Sequence, residues 1–286
     1  MLHQISGNVF WTPPESLTDR PVLGYVRGTR LSLLVDAGNS PAHIKWMYSL
    51  LREKSLQLPE LAVLTHWHWD HVFGASATAA TVIAQHETMH KVQSMTLLDW
   101  RDKSLDQRVE DGDEITFCRD CMKQELTNLE RAKLQLKAPD IGFDDHIVID
   151  LGEVQCRVEH VGGDHSSDST VILVEPDSVL FVGDCLYPAV YDEPPTYTTA
   201  RLFPLLDKIM SYNAEWIVYS HGDEPVNRAD YAETDRQLRI IGSLVDAHLG
   251  SREAVTAAMI DEGIDLTDET VQELLDAFLA GYRAYK

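Results

Sequence analysis

The chain has 286 residues, 44% of them hydrophobic and 24% charged, more than a typical single domain but with no Pro/Gly/Ser-rich linker or shift in composition, so one core with appendages is expected. A formal net charge of −22 argues against nonspecific binding to long nucleic acids or anionic membranes, where phosphate contacts need clustered Lys and Arg; a small phosphodiester stays open, because bound metals supply local positive charge. The N-terminus Met1-Leu2-His3-Gln4-Ile5-Ser6 has no basic leader before an apolar run, no segment is long and apolar enough to span a bilayer, and Cys118, Cys121, Cys156 and Cys185 follow no disulfide spacing, so a cytoplasmic protein with free thiols is expected.

In chain order, the apolar strand Leu31-Ser32-Leu33-Leu34-Val35 ends in Asp36-Ala37-Gly38. A second short apolar run, Leu61-Ala62-Val63-Leu64, reads as a buried strand and opens into Thr65-His66-Trp67-His68-Trp69-Asp70-His71. His66 and His68, two apart on extended backbone, share a face, while Asp70 and His71 continue into a loop or helix start. Four ligand-type residues in six positions at a strand's C-terminal mouth point to metal rather than to scattered surface histidines. Trp67 and Trp69 between them read as core packing.

Between the strands Thr81-Val82-Ile83-Ala84 and His146-Ile147-Val148-Ile149 runs a polar, charge-rich stretch with two helix-like portions, around 87–101 and 120–137. It is expected to form a helical insertion, about 87–140, that is either solvated structure or a pocket wall. His86 and His90 sit on one face of it and read as structural. Cys118 and Cys121, a CxxC with no second pair or nearby histidine, read the same way. Downstream come Val161-Gly162-Gly163-Asp164-His165-Ser166, the strand Val179-Leu180-Phe181-Val182 running into Gly183-Asp184, and Trp216-Ile217-Val218-Tyr219-Ser220-His221-Gly222. His160 falls within a strand-like run that starts at Val154. Beyond residue 225 the chain turns helical, with apolar stripes at Leu238, Ile241, Leu244, Val245 and Leu249 and at Val271, Leu274, Leu275, Phe278, Leu279 and Tyr282. A catalytic domain over 1–225 carrying a helical C-terminal extension over 226–286 is expected, the stripes packing within the chain or, alternatively, in a homodimer contact.

Five segments, each a strand followed by ligand-type residues, thus recur in order from residue 31 to 222. In this the chain resembles the metallo-β-lactamase fold superfamily, with its HxHxDH run, and within it the glyoxalase II and lactonase-like members with a dinuclear site. The resemblance implies an α/β fold, a four-layer αββα sandwich. It places His66, His68 and His165 on one metal, Asp70, His71 and His221 on the other, and Asp184 between them, with Asp36 buttressing the metal loop. Two zinc ions are the expected cofactors, with iron or manganese as the alternative. Two departures stand out: Gly163-Asp164-His165 replaces the family's usual Gly-His, with His160 the competing ligand, and Val72-Phe73-Gly74 replaces paired glycines.

The implied chemistry is attack by a metal-bridging hydroxide while the metals polarise the substrate and stabilise the leaving group, with Asp70 able to relay a proton. Ser166, Ser167 and Cys185 have no part in it, since no serine lies in a strand-turn-helix nucleophile context. Within the resemblance, the aspartate at 184, where the true β-lactamase branches usually carry a cysteine or a non-bridging residue, implies an activity other than β-lactam hydrolysis. Tyr187, three residues later, resembles a tyrosine of the quorum-signal lactonases that assists the carbonyl oxygen; packing beside Pro188 is its other reading. A zinc-dependent hydrolase of an ester, thioester or lactone in a small-molecule substrate is therefore expected. The alternatives are a phosphodiesterase and an iron-dependent oxidoreductase of the persulfide dioxygenase kind; a flavodiiron-like protein is disfavoured by His68, where that branch carries glutamate.

Overall fold

The computed structural model describes residues 1–285. Strands β1 (His3–Gln4), β2 (Val9–Trp11), β3 (Gly24–Arg27), β4 (Ser32–Val35), β5 (Leu61–Val63), β6 (Thr81–Gln85) and β7 (Ile141–Phe143) form a seven-stranded sheet in that order. The first four pair antiparallel and the last four parallel. A second sheet runs β13 (Val226–Asn227), β12 (Trp216–Tyr219), β11 (Val179–Gly183), β10 (Thr170–Glu175), β9 (Gln155–His160), β8 (His146–Asp150), and only its β11–β12 pair is parallel.

Alternation along the strands builds the layers. In β4, Leu33 and Val35 point into the core between the sheets, while Leu34 points outward to the helices on the first sheet's far side. In β10, Ile172 and Val174 face inward and Val171 and Leu173 face the helices of the other side. Strands covered on both faces read as near-continuous apolar runs, which is why the central ones stand out in the sequence. The result is an αββα sandwich of four layers.

On the first sheet lie α1 (Pro41–Glu53), started by Ser40, whose side chain accepts from the His43 amide, and by Pro41 in the first turn, then the one-turn α2 (Trp69–Val72). The insertion holds four helices rather than two helix-like portions: α3 (His86–Met95), α4 (Asp102–Asp111), α5 (Thr116–Glu125) and α6 (Asn128–Ala132). The α4 segment lacks an apolar stripe because it buries only Leu105, and it is closed by Gly112 at φ 79°. The portion expected over 120–137 breaks at Leu126, and Thr127 and Glu130 restart the chain with a capping box.

The second sheet is covered by α7 (Thr199–Ser211), α8 (Arg228–Ala247), α9 (Arg252–Asp261) and α10 (Glu269–Tyr285). Leu238, Ile241 and Val245 of α8 and Leu275, Phe278 and Leu279 of α10 share one buried core with Val171, Leu180 and Ile217 of the sheet. Apart from Leu249, which is 76% exposed, the apolar stripes expected beyond residue 225 are thus used inside the chain, where these helices form the fourth layer. No described helix is long and apolar enough to cross a membrane.

Candidate metal centre

Strand ends supply the site. Asp36 follows β4, His66 lies three residues beyond β5, and His68 caps α2, whose first turn presents Asp70 and His71. His165 sits in the β9–β10 loop, Asp184 directly follows β11, and His221 lies two residues past β12. Gly183, at φ 56°, lets Asp184 turn in; a Cβ there would press on Thr65 at 2.8 Å.

The seven residues meet as two groups: His66, His68 and His165, and Asp70, His71, Asp184 and His221, with the ligand atoms of each group within 4.8 Å of one another. Asp184 spans them. Its Oδ2 lies 3.7 Å from His66 Nε2 and 3.5 Å from His165 Nε2 on one side, and 3.2 Å from His71 Nε2 and 3.4 Å from His221 Nε2 on the other. Asp70 Oδ2 lies 2.9 Å from His71 Nε2 and 3.2 Å from His221 Nε2.

A supporting layer fixes these rings. Asp36, held at φ 63°, accepts from the Thr65 amide at 2.7 Å and faces His71 Nδ1 at 2.8 Å, leaving Nε2 turned to the site. His165 Nδ1 donates to the Pro188 carbonyl at 3.0 Å, which turns its Nε2 to the site, 2.9 Å from His68 Nδ1. Asp164, the departure within the third motif, is not a ligand: it accepts from the Thr198 amide and hydroxyl, both at 2.8 Å, and ties the loop to the start of α7. His160 lies outside both groups, its Nε2 against the Ser167 carbonyl at 2.7 Å. Within the Val72-Phe73-Gly74 departure, Gly74 sits where a Cβ would strike the Ala37 carbonyl oxygen.

These residues suit a metal. His66 Nε2, His68 Nε2 and Asp184 Oδ1 are buried without a hydrogen-bond partner, a costly arrangement in the absence of a ligand. Burial holds the His66, His68 and His165 imidazoles below their ordinary range, so each keeps a lone pair. Burial also opposes charge on His71 and His221, yet the carboxylates of Asp70 and Asp184, joined by Asp36 at His71, hold both well above it. Protons there neutralise carboxylates that a divalent cation would neutralise instead. Neutral imidazoles and carboxylates are ordinary ligands of zinc, iron and manganese alike.

The groups open on a cavity of about 230 Å³, walled by Asp19, Phe117, Cys118, Tyr187, Pro188 and Val190. Phe117 and Cys118 come from α5, so this part of the insertion is a pocket wall. Cys118 and Cys121 are both unpaired and buried, and burial drives both thiols up, Cys121 to about 12, so they stay protonated. Tyr187 lines the cavity with its phenol also pushed up by burial and by Asp184, and so kept as a donor. Burial and Asp70 push Asp19 up to about 7. No lysine or arginine is among the described lining residues.

Of the remaining candidates, Trp69 is core, set edge-on to Phe73 at 5.6 Å. Trp67 instead stacks on Tyr191 at 5.6 Å and donates to Ser166 Oγ at 3.0 Å, lining an outer cleft beside His68. His86 contacts Asp144 at 2.9 Å and stacks on His90, away from both groups. Asp19, Phe117 and Val190 escape sequence reasoning, since none belongs to a local pattern of ligand-type residues, and Cys118, read as structural from its CxxC pair, is found at the cavity wall.

The sequence profile of the metallo-β-lactamase superfamily matches residues 21–221, and the chain belongs to that superfamily. Comparison with curated protein sequences returns no match. Among solved structures, the chain is similar to the DIM-1 metallo-β-lactamase, at 14% identity and TM-score 0.55 over 82% of this chain and 95% of that one. It is also similar to ST1585 from Sulfolobus tokodaii, an archaeal superfamily protein, at 17% identity and TM-score 0.56 over 97% and 98%. A double mutant of the sec-alkyl sulfatase PisA1 matches at 13% identity and TM-score 0.67 over 99% of this chain but 50% of its own length. At these identities the likeness concerns the fold.

Proposed function

We propose that the protein is a cytoplasmic two-zinc hydrolase that cleaves an ester, thioester or lactone bond in a small, uncharged substrate. The observation that carries this reading is the cavity itself: two ligand groups joined through Asp184 lie at its floor, and its walls are largely apolar, with no lysine or arginine among the described lining residues. His66, His68 and His165 would hold one ion and Asp70, His71 and His221 the other, with Asp184 serving both. Bound there, the ions supply a water of lowered pKa and Lewis acidity toward a carbonyl oxygen.

The chain's own residues do the rest. Tyr187, protonated at the cavity wall, donates a hydrogen bond to the substrate carbonyl oxygen as charge develops on it. Asp70, at the floor between His71 and His221, takes and returns a proton. Phe117, Pro188 and Val190 exclude water around the acyl group. Strongly anionic substrates find no lysine or arginine among the described lining residues to pair with: a β-lactam carries a carboxylate and an alkyl sulfate a sulfate.

Elemental mass spectrometry of protein purified without added metal, followed by a panel of lactones, thioesters and phosphodiesters, tests the reading. About two zinc ions per chain with turnover confined to neutral carbonyl substrates is the expected result. About one iron, with oxygen consumed in the presence of persulfides, would overturn it in favour of the dioxygenase alternative.

A further inference from the structure

Each ligand histidine that turns Nε2 to the site needs its Nδ1–H held, because the acceptor on the far nitrogen fixes both the tautomer and the ring angle. Asp36 does this for His71 and the Pro188 carbonyl for His165. His221 is the most exposed of the seven ligands, with 26% of its side chain accessible, and what faces its Nδ1 is the carboxylate of Asp19, at 3.5 Å. We infer that Asp19 is the positioning residue of His221, and through it of the group formed by Asp70, His71, Asp184 and His221. The inference rests on the two-metal reading of the site.

The segment carrying Asp19 is built to hold that side chain. Asp19 itself sits at φ 55°, a left-handed conformation that aspartate tolerates better than most residues. On either side, Glu15 and Arg20 exchange backbone hydrogen bonds at 2.9 Å, and the Glu15 carboxylate accepts from the Leu17 amide and the Thr18 hydroxyl, both at 2.7 Å. Three ties then fasten the loop to the site. The side-chain Nδ2 of Asn39, three residues beyond Asp36, donates to the Thr18 carbonyl at 2.8 Å. The Arg20 guanidinium forks onto Glu125 of α5 at 2.8 and 3.1 Å, and Glu125 in turn accepts from Ser40, the cap of α1. The Val22 amide donates to the carbonyl of Ser220, the residue before His221, at 2.6 Å. The loop and the His221 segment therefore keep a fixed relation. At 3.5 Å the contact is longer than the 2.8 Å of Asp36 on His71, as suits a ring near the surface held by one loop.

Zinc(II) titrated into chelator-stripped protein, against a competing chromophoric chelator, resolves two binding steps, and His221→Ala identifies the step that belongs to the His221 group. Asp19→Gly removes the carboxylate while keeping the left-handed backbone at ease. It is expected to weaken that step about 10- to 100-fold and leave the other within twofold. Asp19→Asn, which retains an acceptor oxygen and tolerates the same backbone, is expected to fall between. Both steps unchanged in Asp19→Gly, or both weakened together, would overturn the inference, the second outcome marking Asp19 as a general support of the fold. Wild-type protein that takes up fewer than two zinc ions would sink the two-metal reading itself, and the role of Asp19 with it.

Discussion

Tyr187 lines the cavity with its phenol kept protonated by burial, and its ring stands 6.3 Å from His165 and 6.2 Å from His221 without being a member of either ligand group. If it donates to the carbonyl oxygen, Tyr187→Phe should lower kcat on a lactone or ester about 10²-fold, in the range of a lost oxyanion donor, with metal content per chain unchanged; an unaltered kcat would make it a packing residue. His43 behaves differently. Both ring nitrogens are buried without a partner, and burial, with Arg20 adding to it, lowers its pKa from 6.5 to about 3. Below pH 6.5 the unfolded chain takes up a proton that the folded ring refuses, so stability falls as pH drops from 6.5 toward 3, at up to about 1.4 kcal/mol per pH unit. His43→Phe should remove that slope. In urea unfolding at pH 5 and pH 7.5, the variant should gain on the order of 1–2 kcal/mol over wild type at the lower pH relative to the higher.

Among the elements, α10 acts on the site from behind. The Tyr197 amide donates to the Ala277 carbonyl in α10 at 3.1 Å, and the Tyr197 hydroxyl donates to the Leu186 carbonyl at 2.7 Å. The loop between them carries Tyr187 into the cavity and Pro188 onto His165. Gly281 lets α10 come this close, since a Cβ there would fall on the Tyr197 carbonyl oxygen. Gly281→Ala should therefore cost about 1–3 kcal/mol of stability by overpacking and lower turnover as well, although residue 281 touches no ligand; denaturation and steady-state kinetics on one preparation check both. Helix α5 works from the opposite side, placing Phe117 and Cys118 on the cavity and Glu125 under Arg20.

For the whole molecule, charge is the governing quantity. Asp19, Asp36, Asp70 and Asp184 gather around one cavity in a chain of net charge −22, and bound cations relieve that repulsion only in the folded state. Chelation should lower the melting temperature by several degrees, and re-added zinc should restore it; thermal melts with and without chelator read this directly, and an unchanged midpoint would argue against metal at the site.

The ligand run from His66 to His71 is legible in the sequence because its chemistry is local: ligand-type residues crowd a few positions immediately after an apolar strand, and strands buried on both faces announce themselves as unbroken apolar runs. Asp36, Asp184 and His221 each follow a strand, but their selection as site residues, that of His165 in the β9–β10 loop, and their division into two groups came from family resemblance. The helices of the insertion were only half legible, because α4 buries a single leucine and a stripe of one residue is no stripe. What the tertiary structure alone decided is non-local: Asp19 set against His221 across some two hundred residues, Phe117 and Cys118 brought to the cavity wall, the absence of lysine and arginine from its described lining, and α10 bracing the Tyr187 loop. These residues carry no pattern along the chain, because their roles arise from which surfaces meet when two sheets and their helices close on one another.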